Sequence, residues 1–304
     1  MRQGFGDALV EIGRENESVV VLDSDVGKST RASDFGDAFP SRFFDCGVQE
    51  ANMMAVAAGL AIEGFIPFAT TFGVFATCRT MDQIRNSIAY PKLNVKIGAT
   101  HCGITVGEDG ASHQAIEDIA LMRAVPNMTV VVPGDYSEAH LATKAAVGID
   151  GPVYLRFGRG KHPLIEGLAE DFQIGKAKVL RRGKDVTIIT TGIMVSEGLM
   201  AAELLEGQGC SARVIHMATI KPLDEEVLLR AAAETNAIIT AEEHSVIGGL
   251  GEAVAGFLAE HHPAKVVRVG LQDEFGQSGT ADDLMDYYGL RADNLAQLTL
   301  KLKS

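Results

Sequence analysis

The strongest constraint on how this chain folds is a set of short runs that are apolar almost from end to end, without polar alternation. Val19–Leu22, Phe43–Asp45, Phe65–Thr70, Val95–Ala99, Val130–Val132 and Val153–Phe157 are rich in β-branched and aromatic residues. A strand with one wet face alternates, so runs like these predict strands covered on both faces, as in a parallel sheet. Helical patterns fill the intervals. Phe5, Leu9 and Ile12 stand at helical spacing, and Glu50–Ile62 and Met81–Ala89 read as helices. Pro133-Gly134-Asp135 closes one strand and caps a helix over Ser137–Val147. Strand then helix, repeated, is the order of an α/β chain.

The alternation lapses after Gly158-Arg159-Gly160-Lys161-His162-Pro163 and resumes with a strand over Val186–Thr191. It continues as helix Ser196–Leu205, strand Ala212–His216, helix Glu225–Ala233, strand Ala237–Ala241, helix Gly248–Glu260 and strand Val266–Val269. A chain of 304 residues exceeds what one core comfortably organises. Two α/β domains are therefore expected, over residues 1–162 and 185–304, joined by a linker over 163–184.

With 40 acidic against 27 basic residues, the formal charge is −13. That argues against nucleic acid or an anionic membrane as the main partner, since both need a basic surface, but it allows a local basic pocket for a phosphate. Cys46, Cys78, Cys102 and Cys210 are scattered, with no Cys-x-x-Cys pair, so neither a disulfide framework nor a bound metal is expected. Met1–Leu9 lacks the charged-then-apolar pattern of a signal peptide, and no run of ~18 apolar residues occurs. The expectation is a soluble cytoplasmic protein.

Candidate chemistry concentrates in Thr100–Gln114, where His101, Asp109 and His113 share a glycine-punctuated segment after an apolar run. Such a loop presents polar groups to a small molecule from a rigid base, and His with Asp suits the hydroxyls of a sugar. The same groups could equally satisfy local backbone, and the residues alone leave both readings open. Glu50 opens a helix that continues Met53-Met54-Ala55-Val56-Ala57-Ala58. An acid there is ordinarily a helix-start charge favoured by the dipole. Phe72 and Phe75, by themselves, read as core.

Taken together, these segments resemble the C-terminal half of transketolase, a thiamine-diphosphate enzyme, over essentially the whole chain. Gly47-Val48-Gln49-Glu50, Thr71-Phe72-Gly73-Val74-Phe75, His101 with Asp109-Gly110-Ala111-Ser112-His113, and the late Arg156 occur in that family's order. The resemblance implies a pyrimidine-binding domain with a parallel sheet, followed by a transketolase C-terminal-type domain with a mixed sheet. It assigns Glu50 to the aminopyrimidine ring nitrogen, where proton sharing favours the tautomer that activates the cofactor. Phe72 and Phe75 become the pyrimidine pocket, and Asp25 lies at the cofactor end of the neighbouring site. Arg2, Ser29, His101, Asp109, His113 and Arg156 become sugar-phosphate contacts, with Glu50, His101 and His113 as the catalytic set. Arginine suits phosphate because its planar donors reach two oxygens at once. Two departures are visible: Cys78 stands where a third pocket aromatic is common, and Ala51 follows Glu50 where the family often has histidine.

Other motifs lead nowhere. Gly248-Gly249-Leu250-Gly251 is not followed by a glycine at the spacing of a dinucleotide fingerprint. Gly107-Glu108-Asp109-Gly110 lacks the downstream Asn-Asn of the family's diphosphate motif, and His261-His262 beside Pro263 reads as a helix cap. Nothing else in the sequence matches the diphosphate-binding motif. The resemblance thus implies a split enzyme: a separate N-terminal subunit holds the diphosphate and Mg2+, in a two-plus-two heterotetramer with an interface of roughly 2,000–5,000 Å². The expected reaction transfers a two-carbon ketol unit from a ketose phosphate to an aldose. The alternatives are a 2-oxo-acid dehydrogenase β subunit, a deoxyxylulose-phosphate-synthase-like enzyme and a non-catalytic thiamine-fold subunit.

Overall fold

The computed structural model of the chain describes residues 1–303. The strands are β1 (Val19–Asp23), β2 (Phe43–Asp45), β3 (Ile66–Phe72), β4 (Lys96–Thr100), β5 (Thr129–Val131), β6 (Val153–Arg156), β7 (Lys178–Arg181), β8 (Val186–Thr190), β9 (Ala212–His216), β10 (Thr219–Lys221), β11 (Ile238–Ser245) and β12 (Val266–Leu271). They form two sheets, one ordered β10-β5-β6-β4-β3-β1-β2 and the other β12-β11-β8-β9-β7. The first is parallel except for β10, and the second is parallel except for β7, which runs antiparallel to β9. Every residue of β1, β4, β6 and β8 is buried, as their unbroken apolar character requires. Helices cover both faces of the first sheet. Phe5 of the helix Arg2–Glu15, for example, packs its ring against Phe68 and Phe157.

Three elements differ from the sequence expectation. The last part of the stretch read as a linker is β7, the edge strand of the second sheet. β10 leaves the second domain and adds to the first sheet beside β5, fixed by Lys221 Nζ donating to the carbonyls of Arg123 and Val125 at 2.9 and 2.5 Å. The region read as a helix over Met81–Ala89 is a π-helical turn over Gln83–Ala89, preceded by a short helix Gly73–Cys78.

The two domains meet across a dense polar seam. Arg156 at the end of β6 is buried; its Nε donates to Asp118 at 2.8 Å, and its Nη2 donates to the carbonyls of Ala115 and Glu243. Asp118 also accepts from the Tyr154 hydroxyl at 2.8 Å. Burial alone would raise the Asp118 pKa, but the Arg156 charge, with the hydrogen bonds from Arg156 and Tyr154, holds the group below the ordinary carboxylate value. From β11, Glu243 accepts from the Thr105 amide at 2.6 Å, and Ser245 N donates to Ile116. The loop after β4 is thus braced by the second domain.

Glycine is required where the brace is tightest. Gly103 has φ +81°, and a Cβ there would lie 2.2 Å from the Glu243 carboxyl carbon. Gly103→Ala therefore combines a left-handed backbone with a clash against a buried carboxylate. The expected loss is about 1–3 kcal/mol in urea unfolding of the whole chain. A loss below about 0.5 kcal/mol would mean that the seam is loose.

Candidate active site

The parallel strands β1, β3 and β4 end together, and their carboxyl ends carry Asp23-Ser24, Phe72-Gly73 and Thr100-His101. Ligands of open α/β sheets bind outside such strand ends, where the chain turns away and exposes side chains without unsatisfied backbone. Two of the turns hold non-glycine residues in the left-handed region: Asp25 at φ +63° after β1 and His101 at φ +56° after β4. A third, Arg31 at φ +73°, follows the helix Gly27–Thr30. Strain of this kind persists where the surrounding structure over-determines a side chain's aim.

One part of the site is a ring cluster linked to Glu50 through Arg79. Glu50 begins the helix Glu50–Ile62, and its side chain is 5 % exposed. Phe72 and Phe75 stack with centroids 5.8 Å apart, His101 stacks on Phe72 at 3.9 Å, and His113 meets Phe75 edge-on at 5.3 Å. His101 Nδ1 pairs with the Thr100 hydroxyl at 2.8 Å, and His113 Nδ1 with that of Ser112 at 2.9 Å. Arg79, at the end of the helix Gly73–Cys78, donates from Nη1 to Glu50 Oε1 at 2.9 Å and lies 3.8 Å from the centroid of Phe75. A buried carboxylate and an aromatic face bridged by one planar guanidinium fit a flat nitrogen heterocycle, because one supplies the edge contact and the other the stacking surface. Cys78 faces Glu117, with 3.6 Å between Sγ and Oε1.

The other part is a cavity of about 490 Å³ whose lining includes Arg2, Lys28, Arg31, Arg159 and Lys161 and not one carboxylate. In a chain with 13 more acidic than basic residues, such a concentration of cations marks an anion site. Arg2 Nη1 donates to the Ser29 carbonyl at 2.7 Å, bringing those two sequence candidates together. Arg159 lies 3.5 Å from Asp109 Oδ2. His101 joins the two parts. Burial, then the charges of Arg2 and Arg159, lower its pKa from 6.5 to about 3, so it is a neutral hydrogen-bonding group here.

Arg156 does not take the phosphate role expected of it. Its guanidinium is spent on Asp118 and two carbonyls in the domain seam, whereas Arg159, three residues further on, lines the cation cavity. A strand covered on both faces buries its last arginine, while one beyond the following glycine has cleared the strand end. That rule could have separated the two. Asp25 lies in the turn after β1, where its amide donates to Asp45 at 3.1 Å. Arg79 and the lysines of the cavity were not legible as site residues, because nothing in their spacing distinguishes them from surface cations.

Comparison with known proteins bears on what this geometry serves. Residues 1–163 match the family described as transketolase, pyrimidine binding domain, and residues 175–295 match transketolase, C-terminal domain. A protein of Methanocaldococcus jannaschii named as a transketolase C-terminal section is 49% identical, over 98% of this chain and 94% of that one. The 6-deoxy-6-sulfo-D-fructose transketolase subunit of a Clostridium species is 44% identical, over 98% of this chain and 92% of its own length. A solved structure titled split gene transketolase, inactive β4 tetramer, superposes with a TM-score of 0.93 at 53% identity, covering 99% of this chain and 97% of that one.

The electrostatics of His101 can be checked directly. Its imidazole resonances should not titrate between pH 5 and 8, and Arg159→Ala should move its pKa upward by removing a nearby positive charge. Because the unfolded chain takes up the proton near pH 6.5 and the folded chain only near 3, His101 should also erode stability as pH falls through that interval. A midpoint near 6.5 in the folded protein would contradict the description.

Proposed function

The chain belongs to the transketolase family, and on that premise we propose that it is the pyrimidine-binding and C-terminal half of a thiamine-diphosphate-dependent transketolase. It would move a two-carbon ketol unit from a ketose phosphate to an aldose. The observation that carries this reading is the buried Glu50 carboxylate, joined through Arg79 to the Phe75–Phe72–His101 stack, with His101 under the charge of Arg2 and Arg159 of the cation-lined cavity. Thiamine diphosphate supplies, when bound, the nucleophilic carbon. Glu50 would hold the pyrimidine ring nitrogen and share its proton, with Phe72 and Phe75 as the apolar walls and Asp25 near the cofactor end of a neighbouring site. His101, Asp109 and His113 would orient the sugar hydroxyls, the two histidines moving protons at substrate oxygens. Arg2, Ser29 and Arg159 would hold the terminal anion. Arg2, Lys28 and Lys161, beside Arg31 and Arg159 that also pair with Asp34 and with Glu108 and Asp109, favour a doubly charged phosphate over a singly charged sulfonate such as the Clostridium relative's name implies.

The diphosphate and Mg2+ would be held by a separate N-terminal subunit in a two-plus-two assembly. The helix Glu50–Ile62 supports this. It is apolar nearly all round, yet Ala55, Val56, Gly59 and Ile62 make an exposed stripe along it. Val48 before it and Phe65 after it are exposed too. A helix apolar on every side is stable only when covered on every side. Two relatives, one named as a C-terminal section and one as a subunit, fit the same division.

Kinetics of the complex test the assignments separately. Glu50→Gln should lower kcat by about 10²–10⁴, and a fall of only a few-fold would sink the cofactor reading. Arg159→Ala should raise KM for the ketose phosphate by about ten- to a hundredfold with a smaller change in kcat. In contrast, Arg156→Ala should act on stability, because it strands Asp118 in the domain seam. Val56→Asp should abolish association with the partner subunit while the isolated chain stays folded, and undiminished association would move the interface elsewhere.

A further inference from the structure

Glu50 already has a ligand in the isolated chain. Arg79 reaches it at 2.9 Å with its guanidinium 3.8 Å from the centre of the Phe75 ring. We propose that Arg79 is a displaceable internal ligand, occupying on Glu50 and Phe75 the place that the cofactor's aminopyrimidine takes, so that cofactor binding requires Arg79 to leave. This rests on the reading of Glu50 and Phe75 given above.

The chemistry of the two groups is alike where it matters. A guanidinium and an aminopyrimidine are both flat and delocalised, both stack on an aromatic face, and both offer N–H donors at an edge. One face of Phe75 cannot carry both. The partners differ in freedom: the Glu50 side chain is 5 % exposed and fixed at a helix start, whereas that of Arg79 is 48 % exposed at the end of a short helix. Arg79 can therefore swing into water at little desolvation cost, while Glu50 stays. A buried carboxylate left without a donor is costly, so the exchange is coupled. Arg79 satisfies Glu50 while the site is empty and yields when another planar donor arrives. The fraction of sites with Arg79 in place reduces the apparent cofactor affinity by the same factor.

The test is a calorimetric titration of the two-subunit complex with thiamine diphosphate, and in parallel with inorganic pyrophosphate, which has no pyrimidine. Arg79→Ala should tighten thiamine diphosphate by between about three- and tenfold, the worth of one half-exposed ion pair and one cation–π contact. Pyrophosphate affinity should not move, which also shows that the variant is folded and assembled. Arg79→Lys, which keeps the charge but loses the flat stack, should give a smaller gain. Unchanged or weakened thiamine diphosphate binding by Arg79→Ala would overturn the proposal, since Arg79 would then be idle or a support for the cofactor. Glu50→Ala separates this from the parent reading. If its removal leaves thiamine diphosphate affinity intact, or if the wild-type complex binds none, the cofactor site itself has been misassigned and the Arg79 proposal falls with it.

Discussion

The buried pair of Arg156 and Asp118 is the interaction on which the remainder of the structure depends. It fastens the last strand of the first sheet's interior to the helix Asp118–Ala124 and, through Arg156 Nη2, to the Glu243 carbonyl of β11 in the second domain. Removing either partner would strand a charge with no access to water, at a cost of about 3–5 kcal/mol. The loop carrying His101, Asp109 and His113 runs between these anchors, and Thr105 ties it to the Glu243 side chain. The second domain carries none of the ring cluster; its contribution is to hold the loop that carries two of its four rings, His101 and His113.

From that brace the site divides into two environments with opposite electrostatics. Around Glu50, itself buried, the surroundings are aromatic, suited to a flat ring that exchanges a proton. Around Arg2, Lys28 and Arg159 they are cationic and open, suited to an anion arriving from solvent. His101 stands between and stays neutral because burial and the neighbouring arginines oppose its protonation. A neutral imidazole can both accept and donate, which a fixed cation cannot. The exposed apolar stripe lies along the same helix that Glu50 opens.

Much of this was legible in the residues. Unbroken apolar strands such as Val95–Ala99 predicted a sheet covered on both faces, and β1, β4 and β6 are buried throughout. His101, His113, Phe72 and Phe75, read from separate motifs, lie in one cluster. What stayed hidden depends on long-range pairing. β10 is a three-residue strand whose partner lies almost ninety positions away, and no local pattern reports such a pairing. β7 was lost in a polar stretch because an edge strand need not be apolar. Arg156 and Arg159 differ by three positions, and only the point at which the strand ends tells the buried strut from the residue in the cavity.

On the proposed function, this chain is half of an enzyme, complete only with a subunit that holds the diphosphate. Ketol transfer should be measured with thiamine diphosphate and Mg2+ for this chain alone, for a candidate N-terminal subunit alone, and for the two together. Turnover is expected in the mixture and in neither chain separately. Turnover and tight cofactor binding by the isolated chain would contradict it.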